Sequence, residues 1–163
     1  MTDVRGLFDA LRDDLTAADA PKEGLGRLAA PGRLLRRAPR IERVGVAWRL
    51  GAVLLTPEGD VLAVGDVLRA AEEVRRGYTA ESARARAALR AAAVRGGFRP
   101  GEIVHIGWEP IDLAAVARGE ASGPIQPSGG QPAIRWSAAA ELAPLEPYLR
   151  ERTRLLQEPP EGA

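Results

Sequence analysis

The stretch Val44-Gly45-Val46-Ala47-Trp48-Arg49-Leu50-Gly51-Ala52-Val53-Leu54-Leu55-Thr56-Pro57-Glu58-Gly59-Asp60-Val61-Leu62-Ala63-Val64-Gly65-Asp66-Val67-Leu68-Arg69 decides the fold. Its first half alternates. Val44, Val46, Trp48, Leu50, Ala52 and Leu54 share one face, with Gly45, Ala47, Arg49, Gly51 and Val53 on the other, which is the period of a half-buried strand. Thr56 to Asp60 then reads as a hairpin loop, because proline presets φ and Gly59 tolerates the left-handed conformation. A return strand is expected from Val61 to about Arg69.

A bulky strand face needs cover, and the next element can supply it. Ala80 to Arg95 is dense in alanine and ends at Gly96-Gly97, a helix with its C-terminal stop. A helix this smooth can lie close against a sheet, with Arg84, Arg86, Arg90 and Arg95 on its flanks. Upstream, Val4, Leu7, Phe8, Leu11 and Leu15 recur at helical spacing behind a Thr2 cap, and Pro21 stops that helix. Downstream, Ile103 to Trp108 is strand-like, and Asp112 caps a short helix. Ile125 to Trp136 reads as an edge hairpin around Ser128-Gly129-Gly130, and Leu145, Tyr148, Leu149, Leu155 and Leu156 mark a C-terminal helix.

The expected fold is therefore α+β: an antiparallel sheet with the alanine-rich helix across one face and terminal helices around it. One domain is expected over residues 1–157, with residues 21–40 as an irregular arginine-rich arm and 158–163 as a disordered tail. Leu54 should be buried, and Trp48, Trp108 and Trp136, each ending a strand pattern, should sit in the core or at its rim.

Composition narrows the chemistry. At 45% hydrophobic and 28% charged the chain is globular, and with only 4% aromatic residues its packing must rest on aliphatic side chains and alanine. Cysteine is absent, which removes disulfides, thiolate metal sites and thiol nucleophiles together. With one histidine besides, no zinc site is expected, and no cofactor or metal. No secretory leader or apolar run of membrane length occurs, so the expectation is a cytoplasmic protein that does not engage membranes.

Lys22 is the only lysine among 23 basic residues, against 22 acidic ones, so arginine carries nearly all the positive charge. That charge is most uneven between Arg27 and Arg43, where six arginines face only Glu42. Arg33, Arg36, Arg37, Arg40 and Arg43 are thus the candidate binding residues. Without interleaved aromatics, weak and non-specific polyanion binding is all that is expected of them. A protein partner or self-association is the other expectation.

The candidate catalytic residues are His105, as a general base, with Ser122 or Ser137 as its nucleophile. A lone strand histidine is more often structural. Gly129-Gly130-Gln131 matches the tripeptide with which release factors hydrolyse peptidyl-tRNA, though two glycines are what a hairpin turn requires.

Four phrases carry a family resemblance: Glu72-Glu73-Val74-Arg75-Arg76-Gly77-Tyr78-Thr79-Ala80-Glu81-Ser82, Arg95-Gly96-Gly97-Phe98, Val116-Ala117-Arg118-Gly119-Glu120-Ala121-Ser122-Gly123-Pro124 and Arg135-Trp136-Ser137-Ala138. With them the chain resembles small uncharacterised actinobacterial proteins that carry the label glutaminase, and the resemblance implies a small hydrolase. The residues do not supply that chemistry. A Ser-x-x-Lys nucleophile pair is missing, since Asp19 stands three residues before the single lysine, and a cysteine nucleophile is absent. The residues thus favour a non-catalytic binding or assembly domain, with a hydrolase around His105 as the alternative.

Overall fold

The structure, a computed structural model, describes residues 3–30, 38–74 and 80–158. They form α1 (Val4–Ala17), β1 (Glu23–Leu28), β2 (Ile41–Leu50), β3 (Val53–Leu55), β4 (Val61–Ala63), β5 (Asp66–Arg69) and α2 (Glu81–Arg95). β6 (Ile103–Ile106), β7 (Glu109–Pro110), α3 (Leu113–Ala117), β8 (Ile125–Ser128), β9 (Gln131–Ile134), β10 (Ala143–Pro144) and α4 (Leu145–Gln157) follow. The fold is α+β, with seven strands in the order β5-β6-β1-β2-β3-β4-β7 and a second sheet in the order β10-β9-β8. β1 and β6 run parallel, and the hairpin pairs are antiparallel.

Two compact units divide the chain. One comprises Met1–Lys22, Ala47–Val64 and Trp108–Ala163, the other Glu23–Val46 and Gly65–Gly107. Each has its own apolar core.

In the first unit the core joins the α1 stripe to Trp48, Leu50, Val53, Leu55 and Val61 of the hairpin, Ile125 and Ile134 of the second sheet, and Leu145 and Leu149 of α4. The Trp48 indole N–H donates to the Ala20 carbonyl (3.0 Å), which ties the end of the α1 segment to β2. The helix cap is Asp3 rather than Thr2: its carboxylate accepts from the Gly6 N–H at 2.9 Å, satisfying one of the free donors of the first turn.

Three expectations about the central stretch need correction. The alternating run from Val44 to Leu55 is not one strand, because Gly51-Ala52 turns the chain back and pairs Trp48 with Leu55, Arg49 with Leu54 and Leu50 with Val53. Leu54 is buried as expected, but on the face of Arg49, opposite Trp48. The return strand is also split, with β4 pairing β3 and β5 pairing β6.

The expected loop at Thr56 is present. Thr56 N–H bonds the Asp60 carbonyl at 2.9 Å, the Thr56 hydroxyl accepts from the Asp60 N–H at 3.0 Å, and Gly59 holds φ +94. A β-branched residue resists that conformation. Gly59→Val should therefore cost about 1–3 kcal/mol, read as a lower urea midpoint.

In the second unit the alanine-rich helix does cover a sheet face. Ala92 and Ala93 pack with Ile41, Leu68, Val104, Ile106 and Phe98, so α2 lies over β5, β6 and the start of β2. The bulky face of the hairpin is covered instead by the core that α1 and α4 complete. The helix ends as expected. Phe98 N–H reaches the Ala93 carbonyl and Gly97 N–H the Val94 carbonyl (3.1 Å each), the Schellman pattern.

The irregular arm expected over residues 21–40 contains a regular strand, β1, which lies between β6 and β2 in strand order. Glycines made this segment look like loop. Their actual use is space: a Cβ on Gly24 would meet the Phe98 ring at 2.5 Å, and one on Gly26 would meet Ile41 at 2.4 Å. Residues 31–37 and the expected tail beyond Glu158 lie outside the described residues.

Candidate functional site

The sequence-derived candidates fall in different units. His105 belongs to the second unit, whereas Ser122 and Ser137 belong to the first. β6 aims the His105 side chain into the protein, where it is 0% exposed. Its Nε2 pairs with the Glu23 carboxylate from the neighbouring parallel strand, and its buried Nδ1 has no hydrogen-bond partner among the described residues. A general base must reach substrate, and this imidazole is sealed from solvent. The Ser122 hydroxyl accepts from the Asp112 N–H at 2.9 Å, at the cap of α3. The chain's one lysine, Lys22, lies over the Trp48 ring at 5.1 Å.

The arginine run is only partly described. Arg33, Arg36 and Arg37 lie outside the described residues, and Arg40 is exposed. Arg43 has a structural role, since its guanidinium stacks on Phe98 at 4.2 Å and pairs with Glu102. Arg99 adds a second bond to Glu102, at 3.0 Å. Burial raises the Glu102 pKa, but the hydrogen bonds from Arg43 and Arg99 outweigh it and hold the carboxyl below its ordinary value of 4.5.

The sign of the linkage follows. A lowered folded-state pKa contributes stability that is full above the ordinary value and is lost as pH falls through the lower one. Glu102→Gln should therefore destabilise at about pH 7 and narrow its gap from wild type by about pH 3, as read from urea midpoints at each pH.

Trp136 is a further correction to a sequence expectation, and the most consequential. It is 53% exposed rather than in the core or at its rim. β9 ends at Ile134, and past that point the chain carries Arg135, Trp136 and Ser137 out along a hollow of about 480 Å³. Arg49 and the Gly51-Ala52 turn form part of the lining, Ala63 and Gln126 another part. This hollow lies wholly within the first unit.

Its frame is held by main-chain bonds. Ala52 N–H donates to the Tyr148 hydroxyl (3.1 Å), Val64 N–H to the Ala52 carbonyl (3.1 Å), and Arg135 N–H to the Pro124 carbonyl (2.9 Å). A side chain at Gly51 would collide with Tyr148, its Cβ lying 1.9 Å from the hydroxyl, so the turn must stay bare for this bond to form.

Both arginines of the hollow are anchored but unneutralised. Arg49 donates Nε–H to the Gly51 carbonyl (3.4 Å) and Arg135 donates from Nη1 to the Ala140 carbonyl (3.0 Å). Among the described residues neither has a carboxylate partner, and no acidic residue lines the hollow. A second hollow, of about 300 Å³, differs on this point: its Arg118 is already bonded to Glu120 at 2.9 and 3.2 Å. That pairing holds the Glu120 carboxyl below its ordinary range.

Among the described residues no group of three or more histidine or acidic side chains is placed to hold a metal, and no helix is long and apolar enough to cross a membrane. No family model, curated protein or solved structure matches the chain.

Proposed function

We propose that this chain is a non-catalytic binding domain whose ligand surface is the hollow beside Trp136. One observation carries the reading: a half-exposed indole and two arginines without carboxylate partners line one concavity on a hydrogen-bonded frame. A lone exposed apolar side chain means little. In a concavity with convergent polar groups it has the make-up of a ligand site. Ser137 sits in the same lining, but no histidine does, and the chain's one histidine is fully buried.

The hydrolase alternative would need His105 beside a serine. Its burial against Glu23 and its place in the other unit weigh against it. Weak polyanion binding through Arg40 and its neighbours, and a cytoplasmic setting, belong to the same proposal as subordinate parts.

Thermal unfolding in the presence of a mixed small-molecule library tests the reading. A ligand that binds only the folded state adds about 2.7 kcal/mol when present at roughly a hundred times its Kd. Some compounds should raise the wild-type midpoint and leave that of Trp136→Ala unmoved. If every stabilising compound acts equally on both proteins, the hollow is not the ligand surface.

A further inference from the structure

We infer that the ligand of this hollow is a small planar oxyanion, a flat ring bearing a phosphate or a carboxylate; this rests on the binding-domain reading above. The charge comes first. Acidic and basic residues nearly balance in the chain, 22 against 23, and Arg12, Arg43, Arg118 and Arg150 each pair with a carboxylate. Arg49 and Arg135 bond to main-chain carbonyls instead, and both line one concavity whose lining has no acid. Two guanidinium groups lining one hollow without an acid leave its positive charge uncompensated, and an oxyanion compensates it. The planar fork of arginine fits phosphate and carboxylate oxygens two at a time.

The geometry of the donors supports the same ligand. Each guanidinium is tied by one bond to a main-chain carbonyl, which steadies its side chain and leaves its remaining N–H groups to donate. Fixing the side chains beforehand lowers the entropy a ligand must overcome.

The ring comes second. Trp136 is 53% exposed, and among the described residues no other aromatic is exposed. An exposed indole in the lining of a concavity can take an offset-stacked flat partner. The volume, about 480 Å³, lies within the range of small-molecule sites, roughly 300–1,000 Å³. A single stacking platform argues for a small molecule over a nucleic-acid strand, which is gripped by a succession of aromatic residues along a basic groove. The Gln126 amide and Ser137 hydroxyl, both in the lining, can satisfy neutral polar edges of the ring.

Calorimetric titration of the full chain decides between outcomes. The probes are adenosine monophosphate, benzoate, adenosine and inorganic phosphate, against wild type, Arg49→Ala, Arg135→Ala and Trp136→Ala. Adenosine monophosphate or benzoate should bind, and the tighter of the two identifies phosphate or carboxylate as the anion. Adenosine and inorganic phosphate should each bind at least about tenfold more weakly than the monophosphate, since each offers half of the recognised chemistry. Each arginine variant should lose about tenfold in affinity for the bound anion, and Trp136→Ala a similar amount, with unchanged thermal midpoints because these side chains are exposed.

Failure of both anions to bind overturns the inference. So does binding that is indifferent to Arg49 and Arg135, or adenosine binding as tightly as its monophosphate. In the last case, and equally if neutral compounds stabilise wild type but not Trp136→Ala, the binding-domain reading survives without the oxyanion. If no compound of any class depends on Trp136, both fall together.

Discussion

Trp48→Ala should lower the unfolding free energy by about 3–5 kcal/mol, the cost of removing a large aromatic side chain from a closed core. Trp48 is 1% exposed and lies among Leu50, Val53, Leu55 and the α1 stripe. Its loss also leaves the Ala20 carbonyl without its donor, a further cost of about 1–3 kcal/mol if water cannot take the place. Trp48→Phe keeps an aromatic ring in the core while removing the N–H and part of the indole volume, so its cost should be intermediate. Urea denaturation of both variants should show alanine well below phenylalanine and phenylalanine below wild type. Equal midpoints for Trp48→Ala and wild type would mean that the hairpin does not build this core.

Gly96→Ala should be comparably damaging in the other unit, and for a different reason. Here φ is −84, which any residue adopts, so backbone strain plays no part. The difficulty is space. An added Cβ would stand 1.6 Å from the Ile41 carbonyl oxygen and 2.5 Å from its carbon. Main-chain atoms cannot rotate away as a side chain can, so the end of α2 must lift off β2. Overpacking against a movable side chain costs about 1–3 kcal/mol, and the cost here should be at the upper end or beyond. Lifting the helix end also loosens Phe98, which closes the cap and fills the core beneath. The urea midpoint of Gly96→Ala should fall well below that of Gly59→Val, whose turn is open to relaxation.

These two sites mark the limits of what the sequence made legible. The α1 stripe, the Thr56–Asp60 loop, the alanine-rich helix with its Gly-Gly end and the Ser128 hairpin were readable because each rests on local spacing or a turn residue. The Gly51-Ala52 turn was not. A two-residue turn reverses the phase of alternation, but Val53, Leu54 and Leu55 are all apolar and all buried, so no polar residue records the reversal. β1 stayed hidden because its glycines serve close packing against Phe98 and Ile41, which only the folded chain brings near.

The candidate site was legible in fragments. Arg49, Arg135, Trp136 and Ser137 all stand in plain view in the sequence, the last as one of its two candidate nucleophiles. Trp136 closes the hairpin that the sequence suggests over Ile125 to Trp136, which puts it at a strand end. The strand stops at Ile134, and beyond it periodicity no longer governs burial. A sequence-level trace of this exists: Arg135-Trp136-Ser137 places a charge, a ring and a hydroxyl side by side where the alternation breaks. Its partner Arg49 is remote in sequence and is brought to the same hollow only by the hidden turn. His105 drew attention for its rarity, and the fold uses it internally with Glu23.

Backbone amide and indole N–H resonances, followed while a compound that stabilises wild type is titrated in, test the central claim most directly. Binding at the hollow should move the Trp136 indole resonance together with the amides of Gly51, Ala63, Gly123 and Ser137, saturating along one curve, and leave the second unit's His105 and Ala92 still. Shifts concentrated around His105 and Glu23, with Trp136 unmoved, would contradict it.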